Sequence, residues 1–407
     1  MRIAMLAPFG VRPKGTLLAR MLPLARALVR RGHSVTLVAP PVHNPEDAGT
    51  RVVLDGVTVI HTPLPTSSGA VTILEQSASL LRIALDSHPH LLHLCKPKGY
   101  SGLAALASRG LSPRVPLVVD SDDWEGWGGW NELLPYPSSA RWLFAWQERD
   151  LPRRAAAVTV ASRTLESLVW SMGVPPERVF YLPNGIDPAL FDDADEQDEW
   201  HDHLPLFPLD EPDRVPAYQP YPTLLLYTRF WEIDLHELVA ALVTIATARP
   251  GVRLIVIGRG ENGEEQELLA WANRAGFASM LDYRGWLDPA VIPEVIAEAA
   301  IALVPTRDTL INRARCSAKL LELMGFGLAV IASDVGEARN MLIHETSGLL
   351  VPPGNPAALA AATLRLIDDE ILRMRLADNA QIAATEYNWD RLVLIAEQAY
   401  AVAMRDL

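Results

Sequence analysis

The stretch from Cys316 to Ala360, CSAKLLELMGFGLAVIASDVGEARNMLIHETSGLLVPPGNPAALA, decides the fold. Leu320, Leu321, Leu323 and Met324 give it a helical opening, and Gly325 and Gly327 stand where a helix stops. The apolar run 328–332 reads as a strand buried on both faces. Ser333, Asp334 and Gly336 turn the chain at that strand's carboxyl end, where open α/β sheets bind ligands. A second short strand, 348–351, meets Pro352-Pro353-Gly354, and Asn355-Pro356 opens another helix with a cap and a proline at its first position. This order of elements holds a small ligand by backbone amides and one carboxylate, and Glu322 sits on the helix just before the strand.

Outward from this stretch the alternation of strand and helix continues in both directions. Residues 2–7 form a strand, 8–15 a loop, a helix starts near Thr16 and ends at Gly32, and 35–39 form the next strand. This βαβ opening lacks GxGxxG. Its loop offers Gly10, Arg12, Lys14 and Gly15 before a helix N-terminus, a place that suits an anion. Strands follow at 57–61, 91–95, 115–120, 156–161 and 179–182, with helices between most of them, as a parallel sheet requires. A second series starts at 223–228 and continues at 254–257, 282–285 and 301–304. Between the two series, 188–222 carries seven prolines, and 192–213 holds ten Asp or Glu with no Lys or Arg. Such composition does not bury enough apolar surface to order itself, so it reads as a linker or insertion.

The motif KLLELMGFGLAVIASDVG…SGLLVPPGNPAALA resembles the donor-site signature of the retaining glycosyltransferases of family 4, and Pro183-Asn184-Gly185-Ile186-Asp187 resembles the turn that closes their first domain. The resemblance implies an α/β chain of the GT-B fold, with two Rossmann-like doubly wound parallel-sheet domains facing across a cleft. It implies an acceptor domain at 1–187, the acidic linker at 188–222, a nucleotide-sugar domain at 223–385, and a terminal helix within 386–407 that crosses back to the first domain. By the same resemblance Glu322 binds the donor ribose, Arg229 clamps the diphosphate, and the backbone at Cys316 and Ser317 supplies amides. Gly258 and Gly260 form the turn beside the donor sugar, the segment with Arg284 and Trp286 meets the base, and the Gly15 loop lines the cleft. Two positions depart from the family. Ala314 stands where a first glutamate is usual, and Asp234 where a lysine is usual. Lys319, three residues before Glu322 and on an adjoining helical face, is the expected replacement cation.

Two strand ends in the first half carry further chemistry. Lys96 and Lys98 follow one of them and suggest an anionic acceptor such as a phosphorylated sugar or a lipid, with Arg12 and Lys14. After the other comes DSDDWEGWGGW, 120–130. Asp120 and Asp122 resemble the metal-binding DxD of the other large glycosyltransferase fold. Alternatively Asp122 and Asp123 face the cleft, where Asp122 hydrogen-bonds sugar hydroxyls or accepts the acceptor's proton. The second reading needs no metal ion, and no bound cofactor beyond the nucleotide sugar, of UDP or GDP type. Trp124, Trp127, Trp130, Trp142 and Trp146 make five of the chain's eleven tryptophans. They suit sugar stacking, or with Arg141, Arg149, Arg153 and Arg154 a peripheral membrane contact. Trp142 and Trp146, four residues apart, are expected to be core.

The chain's 407 residues allow two domains with cores of ordinary size. No apolar run is long enough to span a membrane, and two cysteines, Cys95 and Cys316, fit a reducing cytoplasm, with any membrane contact at the inner face. A net charge of −13 argues against nucleic-acid partners. The expected activity is hexosyl transfer from a nucleotide sugar with retention of configuration. A donor-divergent enzyme or a non-catalytic, ligand-binding homologue stays open because of Ala314 and Asp234.

Overall fold

The computed structural model describes residues 1–10, 17–42, 44–186 and 221–405. Arg12, Lys14, Gly15 and nearly all of the expected linker lie outside the described residues.

Eight strands build the first sheet: β1 (Arg2–Leu6), β2 (Ser34–Ala39), β3 (Arg51–Leu54), β4 (Val57–His61), β5 (Leu91–Cys95), β6 (Leu117–Ser121), β7 (Ala157–Val160) and β8 (Val179–Tyr181). Their order across the sheet is β3-β4-β2-β1-β5-β6-β7-β8. Every pairing is parallel except the β3–β4 hairpin. That hairpin is absent from the strands expected above. Asp55 and Gly56 join its arms, both with positive φ (47° and 81°), the backbone of a tight two-residue turn.

Six strands build the second sheet: β9 (Leu224–Tyr227), β10 (Leu254–Ile257), β11 (Leu281–Gly285), β12 (Ile301–Val304), β13 (Ala329–Ser333) and β14 (Leu349–Val351). They are all parallel, in the order β11-β10-β9-β12-β13-β14. Both sheets therefore wind outward in two directions from a central pair, β1 with β5 and β9 with β12. The fold class is α/β with two doubly wound domains. At each switch point the loops diverge and leave a crevice beyond the strands' carboxyl ends. The Arg229 turn follows β9, and Lys96 follows β5.

The strands are apolar on both faces because helices cover both. Ala329, Val330, Ile331 and Ala332 of β13 are each 0% exposed, which is why their run shows no alternation. The last helix, Trp389–Ala403, lies on the first sheet, not the second. Trp389 and Tyr400 are buried there, and the Tyr400 hydroxyl is 2.8 Å from His93 Nδ1. The Ile186 amide donates to the Tyr387 carbonyl at 2.9 Å and the Trp389 amide to the Ile186 carbonyl at 3.3 Å, so these two segments run side by side.

The expectation that Trp142 and Trp146 are core is corrected. Their rings lie parallel with centroids 6.5 Å apart, and Trp142 is 61% exposed. Helix Ser138–Arg154 turns Gln147, Glu148 and Leu151 inward instead, so the tryptophan pair falls on its outer side.

Candidate functional site

The second domain gathers its polar residues beyond β9, β10 and the helix Ala318–Gly325. Gly258 holds φ +124°, and a Cβ there would sit 1.7 Å from the Thr228 carbonyl oxygen. Only glycine lets the ends of β9 and β10 approach this closely. The Gly260 amide is already used, donating to the buried Glu265 carboxylate at 2.9 Å. Beyond β9 the chain turns through Phe230, buried at φ +67°, a left-handed conformation that a bulky residue rarely adopts. The turn aims Glu232 back inward. Its Oε1 accepts from the Arg229 amide at 3.1 Å, and its Oε2 has no hydrogen-bond partner among the described residues. Arg229 itself extends outward to Glu261, 2.9 Å away.

Around Glu232 stand Lys319 and Arg315. Lys319 is half-buried, with its ammonium 4.4 Å over the Tyr227 ring and no hydrogen-bond acceptor among the described residues. Burial pulls its pKa down to about 8; Arg315 and Arg229 push the same way, against Glu232 and Glu322. Glu322, one helical turn on, is raised by burial, with Lys319 opposing. Burial alone would raise Glu232 too, but Arg315, Lys319 and backbone N–H groups outweigh it and hold the carboxyl below its usual range. Lys319 is thus within electrostatic reach of both Arg229 and Glu322. Glu232 and Arg315 are not among the residues expected from sequence, because neither position carries a motif and their importance comes from what packs around them.

The side chains of Cys316 and Ser317 are engaged within the protein itself. Ser317 Oγ caps its own helix, accepting from the Leu320 amide. Cys316 is buried, its thiol pushed up to about 12 by burial, and it meets the first domain. The Asn184 amide donates to its Sγ at 3.1 Å, and Asn184 Nδ2 to its carbonyl at 2.7 Å. Arg284 lies on the edge strand β11, with Asp282 and Glu298 as its ionic partners. Trp286 beside it is 67% exposed.

The first domain's facing surface is more tightly self-paired than the sequence suggested. Lys96, at φ +58°, places its ammonium 2.6 Å from Asp123, and 3.4 Å from both Asp122 and Glu125. Lys98 reaches Glu125 at 2.8 Å and lies over the rings of Tyr136 and Phe144. The expectation of two free cations for an anionic acceptor is therefore corrected. The 122–125 carboxylates fold back onto the end of β5 and neutralise them, because an unpaired buried ammonium is costly. Asp120 is also committed: Arg20 donates to its two oxygens at 2.7 and 2.6 Å, and Thr159 donates at 2.6 Å. Three hydrogen bonds and a buried ion pair hold Asp120 within the first domain, which speaks against the paired-aspartate metal reading.

Asp122 is different. It is 7% exposed, its Oδ1 has no hydrogen-bond partner among the described residues, and it lines a narrow recess with Pro8, Phe9, Met21 and Lys96. Burial pushes its carboxyl up to about 7, against the pull of Lys96. Farther along the same loop, Trp130 crosses to the second domain and meets the Trp231 ring edge-on, centroids 4.2 Å apart. Among the described residues no group of three or more His, Cys, Asp or Glu has metal-holding geometry, and no helix is long and apolar enough to cross a membrane.

Comparison with known proteins adds the following. The family model described as "Glycosyl transferase 4-like domain" matches residues 15–185, and "Glycosyl transferases group 1" matches 221–369. A phosphatidyl-myo-inositol mannosyltransferase of Mycolicibacterium smegmatis is 25% identical over 409 residues, covering 96% of this chain and 90% of that protein. An alpha-D-kanosaminyltransferase of Streptomyces kanamyceticus is 26% identical over 60% of this chain and 59% of its own length. Among solved structures, sucrose-phosphate synthase from Thermosynechococcus elongatus superposes with TM-score 0.72 at 19% identity, covering all of both chains. Anabaena HepE in complex with UDP and glucose gives TM-score 0.68 at 20% identity, also over all of both chains.

Proposed function

Because the chain belongs to the glycosyltransferase 4-like family and has the GT-B fold, we propose that it moves a hexose from a nucleoside-diphosphate sugar to an acceptor hydroxyl with retention at the anomeric carbon. The observation that carries this is Lys319, a half-buried ammonium kept over an aromatic ring without an acceptor, between Arg229 and Glu322. A protein bears that cost where an anion arrives. The donor ribose sits on Glu322 and the diphosphate on Lys319 and Arg229.

In the transfer, the bond between the anomeric carbon and the phosphate oxygen breaks, and its electron pair leaves with the diphosphate. The acceptor oxygen bonds the same carbon from the same face, and its proton passes to Asp122. The chain supplies no nucleophile in this scheme. Its task is to stabilise charge that grows on the leaving diphosphate, which is where preorganised cations contribute most. Closure across the cleft excludes water, the competing acceptor.

The acceptor is a sugar or lipid hydroxyl, in keeping with the similarity to phosphatidyl-myo-inositol mannosyltransferases. A site of action at the inner face of a membrane is supported by exposed Trp142 with Arg149 and Arg153, which are also exposed and lie seven and eleven residues on, along one helical face. Loss of vesicle binding in Trp142→Ala checks that contact.

Two experiments test the assignment. First, UDP- and GDP-sugars should raise the melting temperature and be turned over, and Glu322→Gln should raise KM more than it lowers kcat. Stabilisation without any sugar transfer or hydrolysis would leave a binding protein in place of an enzyme. Second, kcat/KM should rise with pH near 7 as Asp122 ionises and fall near 8 as Lys319 loses its proton. Asp122→Asn removes the rising limb; a profile unchanged in that variant takes Asp122 out of the proton transfer. The stability sign is opposite. Between 3.8 and about 7 the folded chain holds a proton on Asp122 that the unfolded chain releases, so this group's contribution falls as pH rises.

A further inference from the structure

Arg315 is half-buried, with its guanidinium carbon 4.9 Å over the Trp231 ring, and among the described residues nothing accepts a hydrogen bond from its side chain. Its charge still bears on the site. Arg315 helps keep Glu232 ionised and helps depress Lys319. Two cations, Arg315 and Lys319, thus act on one buried carboxylate, Glu232, and neither has a hydrogen-bond acceptor among the described residues. A single phosphate meets one of the two. A ligand with two phosphates can meet both.

The stacking explains how such a guanidinium is kept ready. A ring face takes the flat side of the fork and leaves its N–H edges free for oxygen acceptors. Trp231 is in turn held edge-on by Trp130 of the first domain. Neither indole N–H has a hydrogen-bond partner among the described residues, so the ring contact is what ties the two together there.

We propose that Arg315 is a further donor-binding residue, seated by Trp231 against Trp130, that takes the second phosphate of the donor and makes the site select nucleoside diphosphates over monophosphates. The proposal rests on the donor site assigned above. It adds that the acceptor domain, through Trp130, helps place a cation of the donor domain, so the diphosphate subsite is complete only when the two rings meet.

Calorimetric titration of the full chain with UDP, UMP, GDP and GMP tests this. The wild type should bind the diphosphate of its preferred base more tightly than the monophosphate. Arg315→Ala should weaken diphosphate binding about 10–100-fold and leave monophosphate binding unchanged, the loss of one or two charge-assisted hydrogen bonds. Arg315→Lys should recover part of it, since an ammonium restores the charge but not the fork. Trp130→Ala should show the same selective loss at smaller size. If Arg315→Ala keeps the wild-type ratio of diphosphate to monophosphate affinity, the proposal is wrong while the donor site stands. Equal weakening of both ligands also overturns it, by assigning Arg315 a structural role. Failure of the wild type to bind either diphosphate removes the donor site itself.

Discussion

Lys319→Met is expected to lower kcat by about 10²–10³-fold, the loss met when one preorganised donor to a developing anion is removed. The argument is positional. Lys319 is within electrostatic reach of Arg229, Glu232, Arg315 and Glu322, and its ammonium lies over the Tyr227 ring with no hydrogen-bond acceptor among the described residues. A leaving diphosphate is the one partner in the reaction whose negative charge grows, so the interaction strengthens toward the transition state. The same substitution takes one cation from the buried Glu232, but Arg315 and the Arg229 amide still serve that carboxylate, so the melting temperature should fall less than in Arg20→Met. Arg229→Ala should slow turnover less, since Arg229 is 44% exposed and shared with Glu261. Wild-type kcat in Lys319→Met, with the melting temperature also unchanged, would falsify the assignment of the leaving-group site.

Arg20→Met should be the most destabilising single change, costing about 3–5 kcal/mol, because it strands a buried carboxylate. Arg20 sits in a π-helical turn, Leu17–Met21, that points it inward among leucines. Besides its two bonds to Asp120, it donates to the Leu182 carbonyl at 2.9 Å, the Pro183 carbonyl at 3.2 Å and Asn184 Oδ1 at 3.0 Å. For a domain of this size the melting temperature should fall by roughly 2–4 °C per kcal/mol. The double variant Arg20→Met/Asp120→Leu should recover part of the loss, since no charge is then left buried alone. The pH sign supports the test. Burial would raise Asp120, but Arg20 and then Thr159 hold it below the usual carboxylate range. Its contribution is present above the unfolded pKa and is lost as pH falls through the folded one. In Arg20→Met the carboxyl is left with burial dominant, so acid should relieve that variant before it harms the wild type. An Arg20→Met protein that melts with the wild type would show that the pair is not a stability element.

Asn184 links that buried knot to the donor side, holding Arg20 through its oxygen and the Cys316 carbonyl through its nitrogen. An N-domain ion pair and a C-domain loop are therefore one connected hydrogen-bond chain. Damage at Arg20 is expected to reach the loop that carries Arg315 and Ser317, through position and not through charge.

What the residue order settled by itself is periodic or covalent. The buried runs of β9, β10, β12 and β13, separated by helices with caps such as Ser317 and Asp234, suffice for a parallel sheet and for the places where those strands end. The hairpin at Asp55-Gly56 is absent from the strands expected from sequence because its outer strand is exposed and shows no core pattern. The residues that only tertiary structure decided are charged ones whose meaning depends on a distant partner. Lys96 and Lys98 look like free cations until Asp123 and Glu125, 27 residues away in sequence, turn back on them. Trp142 and Trp146 share one side of a helix, but packing decided that this side is the outer one. Arg315 and Glu232 lie far apart in the chain, and Trp130 meets Trp231 from another domain. Local periodicity is carried by neighbours a few residues apart, whereas Coulombic pairing and ring stacking act through space, so the folded chain alone selects which charges meet.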